Sequence, residues 1–169
     1  MPFPRYLRYL SPLLILVYMT CSGQSSSEKK KQEEYNQIKE AIISKRYHFI
    51  ALSATTSNGK TFQLSSGYYL QIMKDSLKVD LPYYGRSYTS SYGESSAEIG
   101  IQFNTNQFAY VADSIKDGGW DITIKPKNQK SADNIYLSVS ISGYSRVKIN
   151  SSNRSMISYY GTIVVNLNN

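Results

Sequence analysis

A mainly β fold with one N-terminal α-helix is predicted, its strands forming an antiparallel barrel or sandwich. Three observations predict it. From Tyr47 onward apolar residues recur with a period of two, turn residues interrupt them at short intervals, and only the stretch before Tyr47 carries a helical period. About nine or ten short runs of this kind suit an antiparallel sheet with one wet face, and they disfavour a parallel sheet covered by helices on both sides.

The first 23 of the 169 residues have the layout of an export signal. Arg5 and Arg8 form a positive start, Leu10 to Met19 an apolar run interrupted by Pro12, and Thr20-Cys-Ser-Gly23 a small-residue end. A run of about ten residues is too short to span a bilayer as a helix. Two processing routes follow. Cys21 is a candidate lipid acceptor, although Tyr18 and Thr20 stand where a bacterial lipobox has Leu and a small residue. Cleavage after Gly23 would instead free Gln24 as the N-terminus. Either route places the protein outside the cytoplasm, in the periplasm, at the outer membrane or secreted, with a membrane link only through Cys21. It also removes the single cysteine from disulfide chemistry, so the core alone must hold the fold.

Residues 24–32 are polar and read as a leader or tether, and 33–169 as one domain. Its helix is expected to reach about Lys45, because Tyr35, Ile38, Ala41 and Ile42 share a stripe opposite Glu33, Glu34, Lys39 and Glu40. Loss of Arg5 and Arg8 lowers the net charge from +7 to +5. So modest a charge, spread along the chain, suits solubility or loose attraction to anionic envelope polymers and argues against nucleic acid as a partner.

Strands are expected near Tyr47–Leu52, Thr61–Leu64, Tyr68–Met73, Leu77–Leu81, Glu98–Phe103, Phe108–Ala112, Trp120–Lys125, Ile135–Ile141, Tyr144–Ile149 and Ile157–Val165. Asn58-Gly59, Asn104-Thr-Asn106, Asp117-Gly-Gly119, Gly143 and Asn150-Ser-Ser-Asn153 supply the turns. Alternation sets Trp120, Ile122 and Ile124 on one face, and Leu137, Val139 and Ile141 on another strand's matching face.

The block Leu81-Pro-Tyr-Tyr-Gly-Arg-Ser-Tyr-Thr-Ser-Ser-Tyr-Gly93 departs most from this pattern. Tyrosine offers large, stiff, amphipathic area at low rotamer cost, and Arg86 can stack or pair with a carboxylate or phosphate. Tyr83, Tyr84, Arg86, Tyr88 and Tyr92 are therefore candidate binding residues. Arg154 joins them if the first and last strands are neighbours. The alternative is that Tyr83 and Tyr84 pave the rim or core edge and Arg86 caps carbonyls. Many of the thirteen tyrosines left after the signal must be structural.

This block, with Gly100-Ile-Gln-Phe103, Gly119-Trp-Asp-Ile122, Ser138-Val-Ser-Ile-Ser-Gly143 and Ser152-Asn-Arg-Ser-Met-Ile-Ser-Tyr-Tyr-Gly161, resembles the DUF4251 family of exported Bacteroidetes proteins. The resemblance spans about residues 30 to 165. It implies an envelope or secreted location and a lipocalin-like β-barrel of about eight to ten strands with an N-terminal helix. It supplies no catalytic residues.

His48 is the lone histidine and reads as an edge or surface residue, so neither a metal centre nor a Ser-His-Asp triad is expected, and no cofactor. Glycoside hydrolysis needs only two carboxylates, and Glu94, Glu98, Asp113 and Asp117 are placed near turns. Their polar surroundings, however, give no reason for the raised pKa of an acid catalyst. The expectation is thus a non-enzymatic binding module of the bacterial cell envelope for a small apolar or glycan-derived ligand or a partner protein. The alternative is a structural or assembly accessory with a filled barrel, and a glycan hydrolase ranks third. The first two separate on whether Leu70, Ile72, Leu77, Val79, Ile122, Ile124, Leu137 and Val139 fill one dry core or leave a cavity.

Overall fold

The computed structural model describes residues 26–86, 100–116 and 118–165. One helix, α1 (Ser26–Ser44), precedes ten strands: β1 (Tyr47–Thr56), β2 (Thr61–Gln63), β3 (Tyr69–Met73), β4 (Ser76–Pro82), β5 (Gly100–Thr105), β6 (Phe108–Ser114), β7 (Trp120–Pro126), β8 (Asn134–Val139), β9 (Tyr144–Ser151) and β10 (Arg154–Val164). They form one antiparallel sheet in the order β5-β4-β3-β1-β10-β9-β8-β7-β6, with β2 paired beside β1. The sheet curls into a nearly closed barrel. First and last strands meet through β1 and β10, and among the described residues β5 and β6 are not paired with each other.

The interior is a consequence of the period-two pattern. Leu70, Ile72, Leu77, Val79, Ile122, Ile124, Leu137 and Val139 are all buried and belong to one apolar cluster with Phe49, Tyr159 and their neighbours. The barrel is filled by its own side chains. Ile141 departs from its expected inward face: β8 ends at Val139, and Ile141 lies in the following turn, 52% exposed.

The helix begins at Ser26, so most of the supposed leader is helical. Lys29, Lys30, Lys31 and Gln32 are good helix formers, and their polarity marks an exposed first half and not an unstructured one. Only Ile38, Ala41 and Ile42 of α1 are buried. Tyr35 stacks on Trp120 at 5.5 Å, and Ile38 reaches the turn at Gly143. The helix therefore lies across the end of the barrel where β1 and β7 begin. Lys45, at φ 55°, ends the helix, with the Arg46 amide donating to the Ala41 carbonyl at 2.9 Å. Among the described residues, no helix is long and apolar enough to cross a membrane.

His48 is not at an edge. β1 pairs with β3 on one side and β10 on the other, which places His48 mid-sheet, half-buried beside Tyr69.

Candidate functional site

The tyrosine block begins where β4 ends, at the end of the barrel away from α1. Leu77, Val79 and Leu81 alternate inward along β4, and Tyr83 continues that alternation past Pro82, so its ring is buried. Its hydroxyl is fully occupied. It lies 2.8 Å from the Arg86 carbonyl, 2.9 Å from the Ser155 carbonyl and 3.0 Å from Ser155 Oγ. The Arg86 amide donates to Ser155 Oγ at 2.9 Å, and the Ser155 amide donates back to the Arg86 carbonyl at 2.9 Å. This staple fastens the loop to the start of β10. It also explains Gly85, because a Cβ there would meet the Tyr83 hydroxyl and Ser155 Oγ.

Arg154 completes the staple. Its guanidinium stands 5.1 Å over the Tyr83 ring and donates to the Gly100 carbonyl at 2.8 Å, linking β10 to the first residue of β5. The structure thus brings Arg154 to the tyrosine block. Both Tyr83 and Arg154 are engaged by the protein itself. Below them the buried Tyr159 hydroxyl donates to the Pro82 carbonyl at 2.8 Å; burial pushes its pKa far up, with Tyr83 and Tyr84 adding to the shift.

Tyr84 faces the other way. It is 42% exposed and stacks on Phe62 of β2 at 4.3 Å with planes 17° apart. Lys60 Nζ lies 5.0 Å over the other partner of that stack, Phe62. Tyr84, Phe62, Lys60 and the exposed Arg86 make a cationic aromatic platform at the rim. Phe62, Lys60 and Ser155 were not among the residues expected at the site. Phe62 and Ser155 lie 22 and 72 positions from their tyrosine partners, and nothing local in the sequence announces contacts of that range. Tyr88, Tyr92 and Cys21 lie outside the described residues, as do Glu94, Glu98 and Asp117. Asp113, the remaining candidate carboxylate, sits on β6 opposite Asp121 of β7, exposed to solvent.

A second concavity of about 910 Å³ lies between α1 and the strand ends, outside the barrel wall. Exposed Glu40, Arg46, Lys74 and Asp75 rim it, and His48 and Val165 form part of its floor. Burial lowers the His48 pKa, and its Nε2 is buried without a partner among the described residues. The cleft is open and ringed by charges of both signs, so it does not enclose an apolar ligand.

Fold and rim together define a class: a one-helix, nearly closed antiparallel barrel, filled inside and stapled at one end by tyrosine hydroxyls. The family model for DUF4251, a domain of unknown function, matches residues 29–163, and the chain belongs to that family. Among solved structures, the chain is similar to a crystal structure of a DUF4251 family protein from Bacteroides eggerthii DSM 20697. The TM-score is 0.56 and the identity 13%, over 79% of this chain and 88% of that one. At that identity the likeness carries the fold alone. No curated protein matches the chain.

Proposed function

We propose that this DUF4251 protein is a non-enzymatic, exported component of the bacterial envelope, and that its barrel is a docking body for another envelope protein. The filled interior carries this reading. All eight side chains whose orientation separates a container from a solid body are buried in one cluster. A small apolar ligand has no room inside, which leaves the outer surface for recognition. At the rim, Tyr83 and Arg154 are used in the staple, so Tyr84, Phe62, Lys60 and Arg86 are the groups offered outward.

The test is native and denaturing mass spectrometry of the protein recovered from its own envelope, followed by cross-linking of the wild type and a Phe62→Ala, Tyr84→Ala variant. An empty barrel in native spectra, and a cross-linked partner lost from the double variant while Tyr83→Ala loses cooperative folding, is the expected result. A stoichiometric small molecule retained in the native spectrum would overturn the filled-barrel reading. The denatured mass separates acylation at Cys21 from a free Gln24 start.

One observation favours a second reading, a glycan-derived ligand. The flat Tyr84–Phe62 stack beside Lys60 offers an aromatic face and a cation to a sugar ring bearing an anionic substituent. Titration with soluble peptidoglycan fragments should then shift the ring resonances of Tyr84 and Phe62 saturably in the wild type and not in Tyr84→Ala.

A further inference from the structure

We propose that the free edge of β6 pairs with the same edge of a second copy of this chain, forming a continuous sheet across a two-fold axis at Val111. This goes beyond the rim reading and does not depend on it. Two turn hydrogen bonds fix which way the backbone of β6 faces. The Lys127 amide donates to the Gln107 carbonyl at 2.9 Å, and the Ile115 amide donates to the Gly119 carbonyl at 3.0 Å. In the antiparallel β6–β7 register these bracket Ala109, Val111 and Asp113 as the residues that exchange bonds with β7. Phe108, Tyr110, Ala112 and Ser114 therefore turn their N–H and C=O groups away from β7. Among the described residues those groups have no ladder partner, because β6 ends the sheet.

This edge lacks the usual protection. Phe108–Ser114 contains no Lys, Arg or Pro, and Val111 to Ser114 are exposed in succession, Val111 to 54%. Its residues are also self-complementary. With the axis at Val111, Phe108 exchanges bonds with the second copy's Ser114, and Tyr110 with the second copy's Ala112, so all four outward residues of each strand are paired. The only charge, Asp113, then faces Ala109 of the second copy and not another Asp113, and the two exposed Val111 side chains meet on the axis. Shifting the axis by one residue either way leaves one outward residue of each strand unpaired.

Sedimentation velocity of the protein recovered from its envelope, across a dilution series, tests the pairing. A reversible monomer–dimer equilibrium is expected. Val111→Lys sets two like charges on the axis and should raise the dimer Kd by about tenfold or more. Ala112→Pro removes an outward donor at an edge position where proline is tolerated, and should weaken the dimer with little change in unfolding midpoint. A monomer at every concentration overturns the proposal, as does a dimer that both variants leave intact. Dimerisation lost only in Tyr84→Ala would place the interface at the rim and overturn it too.

Discussion

The wall of this barrel has two joints, one paired and one open, and they behave in opposite ways. β1 and β10 lie at the two ends of the domain, yet they pair from His48↔Val164 to Thr56↔Ile157. β5 and β6 are separated only by Asn106 and Gln107, but the alternating antiparallel order makes them run in the same direction, so this short link cannot fold back as a hairpin, and among the described residues no ladder joins them. Parallel pairing needs a crossover of about a dozen residues, whereas β1 and β10 are free to pair at the cost of closing a long loop. Closing a loop of about a hundred residues costs only about 2 kcal/mol more than closing one of about ten, however, and burial of a single large apolar side chain contributes about 1.5–3 kcal/mol. Strand direction excludes the β5–β6 ladder, and inward side chains secure the β1–β10 one. The β1–β10 joint buries Phe49, Ala51, Ala54, Ile157 and Tyr159, whereas across the other joint only Ile101 is fully buried, and Phe103 and Tyr110 are half-buried.

Each edge of the open joint is also held elsewhere. The Tyr110 hydroxyl lies 3.1 Å from the Tyr47 hydroxyl and 3.2 Å from the Ile42 carbonyl, which ties β6 to the C-terminal turn of α1. Lys45 Nζ sits 5.0 Å over the same ring. On the β5 side, Arg154 takes the Gly100 carbonyl. Adjacency in sequence therefore makes a strand pair only where direction allows it, and burial secures the pair that forms.

The largest effect should come from breaking the closed joint. A Cβ at Gly161 would land on the Ile50 carbonyl oxygen and 2.9 Å from the Phe49 ring. Backbone cannot step aside cheaply, so Gly161→Ala should cost about 3 kcal/mol in urea unfolding. At the open joint, a Cβ on Gly100 meets its nearest atom, the Leu81 carbonyl oxygen, at 3.1 Å. Gly100→Ala should cost below about 1 kcal/mol. Equal costs would mean that the two joints are not mechanically different.

A second effect concerns the tie between β6 and α1. Burial pushes the Tyr110 pKa up to about 12, and burial with the nearby Tyr110 pushes Tyr47 well above its ordinary value. The folded state then keeps protons that the unfolded chain releases near pH 10. Stability from these groups is whole below about pH 10 and is lost as pH rises toward the folded values. For Tyr110 the loss by about pH 12 should be roughly 2 kcal/mol. Tyr110→Phe should lower stability at neutral pH but flatten that alkaline decline. A decline unchanged in Tyr110→Phe would show that the tie contributes nothing to it.

Much of this was legible in the sequence, for physical reasons that also mark the limits. The core strands were visible because one buried face imposes period two on residues such as Trp120, Ile122 and Ile124. The inward turn of Tyr83 was legible too, since it continues the register of Leu77, Val79 and Leu81, but the proline and glycine around it read as loop. What stayed hidden depends on pairing across distance. His48 looked peripheral because nothing near it announces β10, and Tyr84 looked like one of several equivalent tyrosines because Phe62 arrives from another strand. The open joint was hidden for a related reason: Asn104-Thr-Asn106 reads as an ordinary turn signal, and only the pairing order shows that β5 and β6 run in the same direction.

The smallest effect sharpens the comparison from within β6. Asp113 lies directly opposite Asp121, in a pair that exchanges backbone bonds, so two like charges face each other on the wet side. Asp121 has a use, since Ser138 Oγ donates to it at 2.7 Å, whereas Asp113 has no side-chain partner among the described residues. Asp113→Thr should therefore stabilise the fold by a few tenths of a kcal/mol at low ionic strength. The gain should shrink in high salt, because exposed charges are screened. Asp121→Thr removes the same repulsion but also the Ser138 bond, and should gain less or lose. Because Asp113 faces Ala109 and not itself across the proposed two-fold axis, Asp113→Thr should leave the dimer Kd unchanged while raising the unfolding midpoint. A variant that moved both together would tie the stability of the edge to its occupancy, and the weak half of the wall would then be weak only in the monomer.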